Sequence, residues 1–161
     1  MKPLTIAAIV SLCSSAAQAE SFHLFSKDHW SVSYVTEGDT EACVASVEGD
    51  GIYFSLDVTA DGLMAWYIDP DNNFGEVQQE GYLAVWIDSK GKWETPALAQ
   101  RATIQMLGIS PEFLHELVDG QRLYIDQEFD GQWDAWFSLN GSAAAVVALA
   151  DCSKKLGGMA S

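Results

Sequence analysis

The stretch FSLNGSAAAVVALADC, residues 137–152, places a polar turn before a run of alanine, valine and leucine that ends at a cysteine. Asn140 or Ser142 can cap a helix here, because their side-chain oxygens accept hydrogen bonds from the first free main-chain N–H groups. Small apolar side chains let such a helix lie close on a sheet, and an apolar surface is typical of a mostly buried helix. The positions that share one face at helical spacing are Ala145, Leu149 and Cys152. We therefore predict a buried helix over residues 141–153.

The first nineteen residues, MKPLTIAAIVSLCSSAAQA, have the three parts of a secretory signal peptide. Lys2 supplies the basic start, residues 4–12 form an apolar core, and Ala17-Gln18-Ala19 has the small residues at its first and third positions that a cleavage site requires. The apolar core is shorter than the roughly 20 residues that span a bilayer, and no later segment is long enough. We predict cleavage before Glu20, one domain over residues 20–161, no membrane span, and a periplasmic or secreted bacterial protein.

The chain is strongly acidic: 23 Asp and Glu stand against 8 Lys and Arg, which corresponds to a net charge of −15. A surface of this charge repels nucleic acid and anionic lipid headgroups, because both bind to basic patches. We therefore exclude nucleic acid as a partner and expect any charged partner to be cationic, either a basic protein or a metal ion. The alternative is that the charge only keeps the protein in solution.

Two cysteines, Cys43 and Cys152, remain after the predicted cleavage, because Cys13 lies in the signal peptide. An even pair in an exported chain predicts a disulfide, and two cysteines allow only one pairing. A metal-binding or redox pair would instead need close spacing such as C-x-x-C, which is not present. The predicted bond closes a loop of more than about 100 residues and stabilises the fold by constraining the unfolded chain.

Short apolar or alternating runs separated by turn residues predict an antiparallel sheet. The predicted strands are Trp30–Thr36, Ala42–Glu48, Ile52–Val58, Leu63–Asp69, Tyr82–Asp88, Ala102–Leu107, Arg122–Glu128 and Trp133–Leu139. Asp-Gly pairs close tight hairpins because they tolerate positive φ, and they occur at Asp50-Gly51, Asp61-Gly62 and Asp130-Gly131. This pattern predicts a meander through much of the chain.

The segment SPEFLHELVDG predicts a second helix, about residues 110–119. Ser110 is its N-cap, Pro111 occupies the first helical position, and Gly120 ends it. The side chains that form its apolar face are Phe113, Leu114, Leu117 and Val118. The predicted fold is therefore α+β: mainly antiparallel β, either a bent sheet or a β-sandwich, with two helices at about 110–119 and 141–153.

Three segments together resemble small exported proteins of the invasion-associated locus B family. They are HWSVSYV at residues 29–35, EACVAS at residues 41–46, and the terminal FSLNGSAAAVVALADC. The resemblance implies a periplasmic or secreted bacterial protein, rich in β structure, with a terminal helix, a disulfide and a role at the host interface. It carries over no catalytic site. The chain departs from the family pattern in its strong acidity.

The sequence contains no catalytic signature that we can assign. Its three histidines, His23, His29 and His115, are far apart in sequence, and no G-x-S-x-G, H-E-x-x-H, P-loop or dinucleotide motif is present. We interpret Ser142 as a cap or turn residue rather than a nucleophile. We therefore predict a protein that is not an enzyme and has no cofactor. The alternative is a small hydrolase whose site forms only in the tertiary structure.

The segment DPDNNFGEVQQE, residues 69–80, partly matches a calcium-binding loop. The oxygen-bearing candidates are Asp69, Asp71, Asn73 and Glu80, which is the twelfth position of the segment. The glycine that the motif requires at its sixth position is replaced by Phe74. We predict no metal site and interpret the segment as a solvated loop rich in turn-forming residues.

Alternation along three predicted strands places large aromatic side chains on polar faces. In WDAWFSL, residues 133–139, Trp133 and Phe137 share the apolar face, whereas Trp136 lies on the opposite one. The same alternation occurs in IYFSLDV, residues 52–58, and in RLYID, residues 122–126. The polar-face residues of the three segments form a candidate ligand face, which consists of Trp136, Tyr124, Tyr53, Asp134, Asp126 and Asp57. Flat rings beside carboxylates suit a sugar ligand. The alternative is that the two helices cover part of this face and make the rings part of the core.

These observations predict an exported, non-catalytic binding protein that acts in the cell envelope or outside it, at a host or envelope interface. Its partner is expected to be a protein or a glycan. The alternatives are a carbohydrate- or calcium-dependent binding module and the small hydrolase described above.

Overall fold

The computed structural model describes residues 19–127 and 134–156. Within these ranges the chain forms ten strands and two helices, an α+β fold that is mainly antiparallel sheet, as predicted. The strands are β1 Glu20–Lys27, β2 Trp30–Glu37, β3 Thr40–Gly49, β4 Ile52–Thr59, β5 Gly62–Ile68, β6 Gln79–Ile87, β7 Trp93–Gln100, β8 Thr103–Met106, β9 Arg122–Asp126 and β10 Ala135–Ser138. The helices are α1 Pro111–Asp119 and α2 Ser142–Leu156.

All ten strands belong to one sheet, in the order β1-β2-β3-β4-β5-β8-β7-β6-β9-β10. Strands β1 to β5 form a meander, and β6 to β8 form a second meander that is inserted in reverse, so that β5 pairs with β8 and β6 with β9. The predicted meander is therefore interrupted twice, between β5 and β6 and again between β8 and β9. The second crossover contains α1.

The predicted Asp-Gly turns form hairpins where the structure describes them. Asp50 and Gly51 both have positive φ, 53° and 81°, and they link the paired residues Gly49 and Ile52 in a two-residue loop. Gly62, with φ 128°, begins β5 opposite Thr59. The Asp130-Gly131 pair lies outside the described residues. Aspartate and glycine are selected at such turns because both tolerate the left-handed conformation.

One face of the sheet, which we call the inner face, carries the hydrophobic core. The largest fully buried side chains include Trp30, Tyr67, Phe54, Phe137, Leu56 and Leu83. The sheet bends until β10 lies against the end of β3: a Cβ atom on Gly49 would stand 2.9 Å from the main-chain oxygen of Trp136. The Trp30 indole N–H also donates to the main-chain oxygen of Ser138 at 3.1 Å. The fold is therefore one bent sheet rather than a β-sandwich.

Both helices pack on the inner face. The Ser110 hydroxyl oxygen accepts a hydrogen bond from the main-chain N–H of Phe113 at 3.1 Å, which confirms the predicted N-cap of α1. Helix α2 begins at Ser142 and ends at Leu156, three residues beyond the predicted end. Ser142 is buried, and its hydroxyl donates to the main-chain oxygen of Leu117 at 2.8 Å. This side chain joins the two helices.

Cys43 and Cys152 form the predicted disulfide, which ties β3 to α2 across a sequence separation of 109 residues. Both cysteines are buried in the core, and their Cα atoms are 6.0 Å apart. Ala145, Leu149 and Cys152 are buried on the same side of α2, as the spacing predicts. The prediction of a buried helix is wrong for the opposite side, where Val147 is 62% exposed, because α2 packs on the sheet along one side only. Among the helices that the structure describes, neither is long and apolar enough to cross a membrane.

Candidate functional site

Three aromatic side chains lie side by side on the outer face of the sheet, the face opposite the core. Trp136 on β10 pairs with Tyr124 on β9, and Tyr124 pairs in turn with Trp86 on β6. We call these three residues the aromatic row. Because both helices pack on the inner face, they do not cover this row, contrary to the alternative considered from the sequence. Trp136 is 38% exposed.

The aromatic row has a cation at each end. The Trp86 and Tyr124 rings are stacked, with centroids 5.5 Å apart and an interplanar angle of 15°. The Lys92 Nζ atom lies 4.2 Å from the centroid of the Trp86 ring, and the Arg122 guanidinium carbon lies 5.0 Å from that of Trp136. Both cations are within the range of cation–π attraction, which stabilises the ring positions.

Asp126 does not have the role that the sequence predicted for it. It lies on the outer face, as alternation requires, but its side chain is only 1% exposed, so it is no open ligand residue. Its Oδ2 atom accepts a hydrogen bond from Lys92 Nζ at 3.3 Å. Alternation reveals which face a side chain occupies, but it cannot reveal whether another segment covers it. In the structure, Asp126 helps to hold Lys92 over Trp86.

Two residues of the predicted face, Tyr53 and Asp57, are separated from the aromatic row in the strand order, whereas Asp134 directly precedes β10. Tyr53 and Asp57 lie on the outer face of β4, where Tyr53 is 36% exposed. Asp57 is partly buried and accepts a hydrogen bond from the Ser55 hydroxyl at 2.8 Å. Burial raises the pKa of Asp57, and the Ser55 hydrogen bond lowers it to a smaller extent. Asp134 is exposed beside β10 and accepts the main-chain N–H of Gln127 at 2.6 Å.

A cleft of about 280 Å³ lies where β10 meets the β3–β4 hairpin, and we call it the seam cleft. The side chains that line it are His29, Glu48, Asp50, Trp136 and Ser138, with Gly49 between the two acids. Gly49 permits this junction, because a side chain there would collide with the main chain of β10. The cleft therefore depends on the bend of the sheet. Sequence reasoning found Trp136 but missed His29, Glu48 and Asp50, since no local pattern brings these segments together.

The predicted calcium-loop residues make hydrogen bonds to their own loop. Asp69 Oδ1 accepts the main-chain N–H of Asp71 at 3.1 Å, and Asn73 Oδ1 accepts that of Gly75 at 3.0 Å. Glu80 belongs to β6, where it pairs with Leu98. In residues 19–127 and 134–156, no group of three or more His, Cys, Asp or Glu side chains could hold a metal. These hydrogen bonds are those of a loop closed by Asx turns.

Two other arrangements of reactive groups occur in the structure. The Ser26 hydroxyl lies 3.1 Å from His23 Nε2, and both side chains are exposed on the edge strand β1. A serine–histidine catalytic pair also needs a group that orients the imidazole. Among the described residues, no carboxylate makes a hydrogen bond to His23. Tyr67 is fully buried, and burial together with the charges of Asp69 and Asp134 raises the pKa of its hydroxyl.

The outer face thus presents the aromatic row and, at its Trp136 end, the seam cleft. His29 and Ser138 both line the seam cleft, but among the described residues no hydrogen bond joins them, and the Ser138 hydroxyl oxygen accepts the main-chain N–H of Asn140 at 3.3 Å. The aromatic row presents rings and cations held on paired strands. The resemblance to the invasion-associated locus B family rests on the three sequence segments quoted above. No protein-family model, no curated protein and no solved structure matches this chain.

Proposed function

We propose that the protein is an exported, non-catalytic binding protein that acts in the cell envelope or outside it, and that the aromatic row is its contact surface. The observation that carries this proposal is the row itself: three large rings on a face that neither helix covers, with Lys92 and Arg122 at its ends. Tryptophan, tyrosine and arginine are the residues enriched where binding energy concentrates in protein interfaces. The same rings contribute little to the core, because they lie on the opposite side of the sheet.

The row is held in place before any partner binds. Its residues are on paired strands, Trp86 and Tyr124 stack on each other, and the Lys92–Asp126 ion pair holds the lysine at one end. Ordering long side chains costs free energy on association, so a surface that is already ordered binds with a smaller penalty. This rigidity supports a binding role.

Export is supported by the signal-peptide features of residues 1–19, which lie almost entirely outside the described part of the chain, and by the disulfide. A role at a host or envelope interface follows from the family resemblance and belongs to the same proposal. Expression in a bacterium followed by intact-mass analysis of the periplasmic fraction tests the export step. The expected mass is that of residues 20–161, and a product that retains residues 1–19 in the cytoplasm would contradict export.

The contact surface is tested by capture of partners from envelope extract on the immobilised protein, compared with two variants. Trp136→Ala removes the exposed ring of the row, whereas Val147→Ala trims an exposed side chain on α2, which packs against the other face. We expect quantitative mass spectrometry to identify a partner that the Val147→Ala variant retains and the Trp136→Ala variant loses. Equal capture by both variants would show that the row is not the contact surface.

Carbohydrate is the second candidate ligand, because Trp136 offers a partly exposed ring beside the carboxylates of Glu48 and Asp50. Trp86 and Tyr124 are less suited to a sugar, since their stacked rings cover one face of each other. Electrophoresis of the protein through gels that contain neutral or acidic polysaccharides separates the two candidates. Retardation that Trp136→Ala abolishes would favour a glycan over a protein partner.

A further inference from the structure

We infer that the seam cleft binds the guanidinium group of an arginine side chain on a basic partner. The inference rests on the proposed function, because Trp136 belongs to both the aromatic row and the cleft, and it names the chemistry that the partner must present. It is carried by the unpaired carboxylates of the cleft, by its aromatic wall and by its size.

Two carboxylates, those of Glu48 and Asp50, line the seam cleft. Glu48 and Asp50 flank Gly49 on the β3–β4 hairpin, and both are exposed. Of the lysine, arginine and histidine side chains that the structure describes, none forms a salt bridge with either acid. A planar guanidinium donates up to five hydrogen bonds in a fixed geometry that matches carboxylates. Two uncompensated carboxylates on one wall therefore favour a cationic ligand group.

The ring of Trp136 lines the same cleft. The protein already places one guanidinium, that of Arg122, 5.0 Å from the centroid of this ring. A second guanidinium that enters from the cleft would meet the same electron-rich ring together with the two acids. Cation–π attraction is strongest for tryptophan, and arginine also stacks on its face. The aromatic wall thus favours arginine over a compact inorganic cation.

The volume of the seam cleft suits one side chain rather than a larger ligand. Its volume of about 280 Å³ is at or below the lower end of the range typical of small-molecule pockets, about 300 to 1,000 Å³. The net charge of −15 adds a long-range attraction that raises the rate of encounter with a basic partner. A lysine could satisfy the charge, but it lacks the planar group that stacks on an aromatic ring and pairs with carboxylates.

The test uses two synthetic peptides, one with alternating glycine and arginine, and one in which citrulline replaces every arginine. Citrulline keeps the shape of the side chain and removes its charge. Calorimetry with the purified protein is expected to give binding of the arginine peptide and at least about tenfold weaker binding of the citrulline peptide, the effect of losing one charged hydrogen-bonded contact. Equal affinity for the two peptides, or no binding of the arginine peptide at low salt, would overturn the inference.

Two double variants separate the cleft from general electrostatic attraction. Glu48→Gln/Asp50→Asn removes the acids of the cleft, whereas Glu37→Gln/Asp39→Asn removes the same charge from the exposed β2–β3 turn. We expect the cleft variant to lose about tenfold in affinity for the arginine peptide while the turn variant changes far less. An equal loss in both variants would assign the binding to net charge and reject the cleft. Near-UV circular dichroism verifies that each variant is folded.

The peptide-binding test of the arginine inference can fail independently of the partner-capture test of the proposed function. If Trp136→Ala abolishes partner capture but the arginine and citrulline peptides bind alike, the aromatic row is a contact surface and the arginine inference fails. If the arginine peptide binds through Glu48 and Asp50 but no partner depends on Trp136, the proposed contact surface fails instead.

Discussion

Single residues on the outer face have different surroundings although they lie on neighbouring strands. Trp136 is partly exposed and lies beneath Arg122, whereas Asp126, one strand away, is buried and bonded to Lys92. The next residue along β10, Phe137, is fully buried on the inner face. Trp136 and Phe137 are therefore suitable for paired substitutions, because one ring is partly exposed and the next is in the core.

Trp136→Ala should leave the free energy of unfolding within about 1 kcal/mol of the unsubstituted protein, because the ring is partly exposed and lies on the face opposite the core. Phe137→Ala should cost about 3 to 5 kcal/mol as a large-to-small change in the core. Trp133, which the sequence predicted to share that core face, lies outside the described residues, so Phe137 is the reference. Urea unfolding measures both values. Global unfolding of the Trp136→Ala variant would assign this ring to the core.

Gly120→Ala should destabilise the protein by about 1 to 3 kcal/mol, the usual cost of overpacking. Gly120 ends α1 with φ −84°, so no positive φ requires glycine there. A Cβ atom would instead stand 2.3 Å from Ile87 Cγ2 and 2.8 Å from the main-chain oxygen of Glu116. Gly91→Ala is the control, since a Cβ there meets nothing within 4 Å. Similar melting temperatures for the two variants would contradict this account.

Asp57→Asn should raise the free energy of unfolding at neutral pH. Burial raises the pKa of Asp57 above its ordinary value of 3.8. Ionisation of this carboxyl group therefore costs more in the folded than in the unfolded protein, and the free energy of unfolding falls as the pH rises above the ordinary pKa. The gain should therefore be present at pH 7 and absent below the ordinary pKa, where both side chains are neutral. Urea unfolding across this pH range measures it, with the exposed Glu80→Gln as a control that should show no such gain. A gain that persists at low pH would point to packing instead.

At the level of elements, the strands β6, β9 and β10 carry the aromatic row. The β5–β6 loop is a separate feature that is closed by hydrogen bonds within itself. The row exists because three strands that are not consecutive in sequence pair with their aromatic positions in register. The loop is closed by Asx hydrogen bonds that use oxygens of Asp69 and Asn73. The aromatic row and this loop therefore lie on separate elements.

Addition of Ca²⁺ should leave the melting temperature unchanged. A ligand that binds only the folded state stabilises it by mass action, so a functional calcium loop would raise this temperature. Asp69 and Asn73 already accept main-chain N–H groups, and Glu80 belongs to the neighbouring strand β6. Differential scanning calorimetry with and without Ca²⁺ measures the effect. A rise of several degrees that Asp71→Ala abolishes would show that the loop binds the metal.

At the level of the whole molecule, the bend of the sheet and the disulfide join segments that are far apart in sequence. The bend brings β10 against β3 and creates the seam cleft, while Cys43–Cys152 ties the same strand β3 to α2. The Trp30 indole adds a hydrogen bond between β2 and β10. Residues from both ends of the domain thus converge on β3.

Replacement of both Cys43 and Cys152 by serine should lower the free energy of unfolding by about 2 to 5 kcal/mol, because the bond constrains a long loop of the unfolded chain. Urea unfolding of the protein recovered from the periplasm measures the change. The same protein should show no thiol that reacts with an alkylating reagent before reduction. Labelling of either cysteine without reductant would show that the bond is not formed in the isolated protein.

The α+β class, both helices and the disulfide could be predicted from the sequence, because the Ser110 cap, the alternation of apolar residues and the paired cysteines are local or compositional signals. Sequence reasoning missed β1 and β7, since a register shift between His23 and Phe25 breaks the alternation of β1, and Pro96 lies within β7. The burial of Asp126, and the cleft that Glu48, Asp50 and Trp136 line together, became apparent only in the folded chain. The cleft depends on the bend that joins β10 to β3, segments more than about 80 residues apart, and no short-range periodicity encodes such contacts.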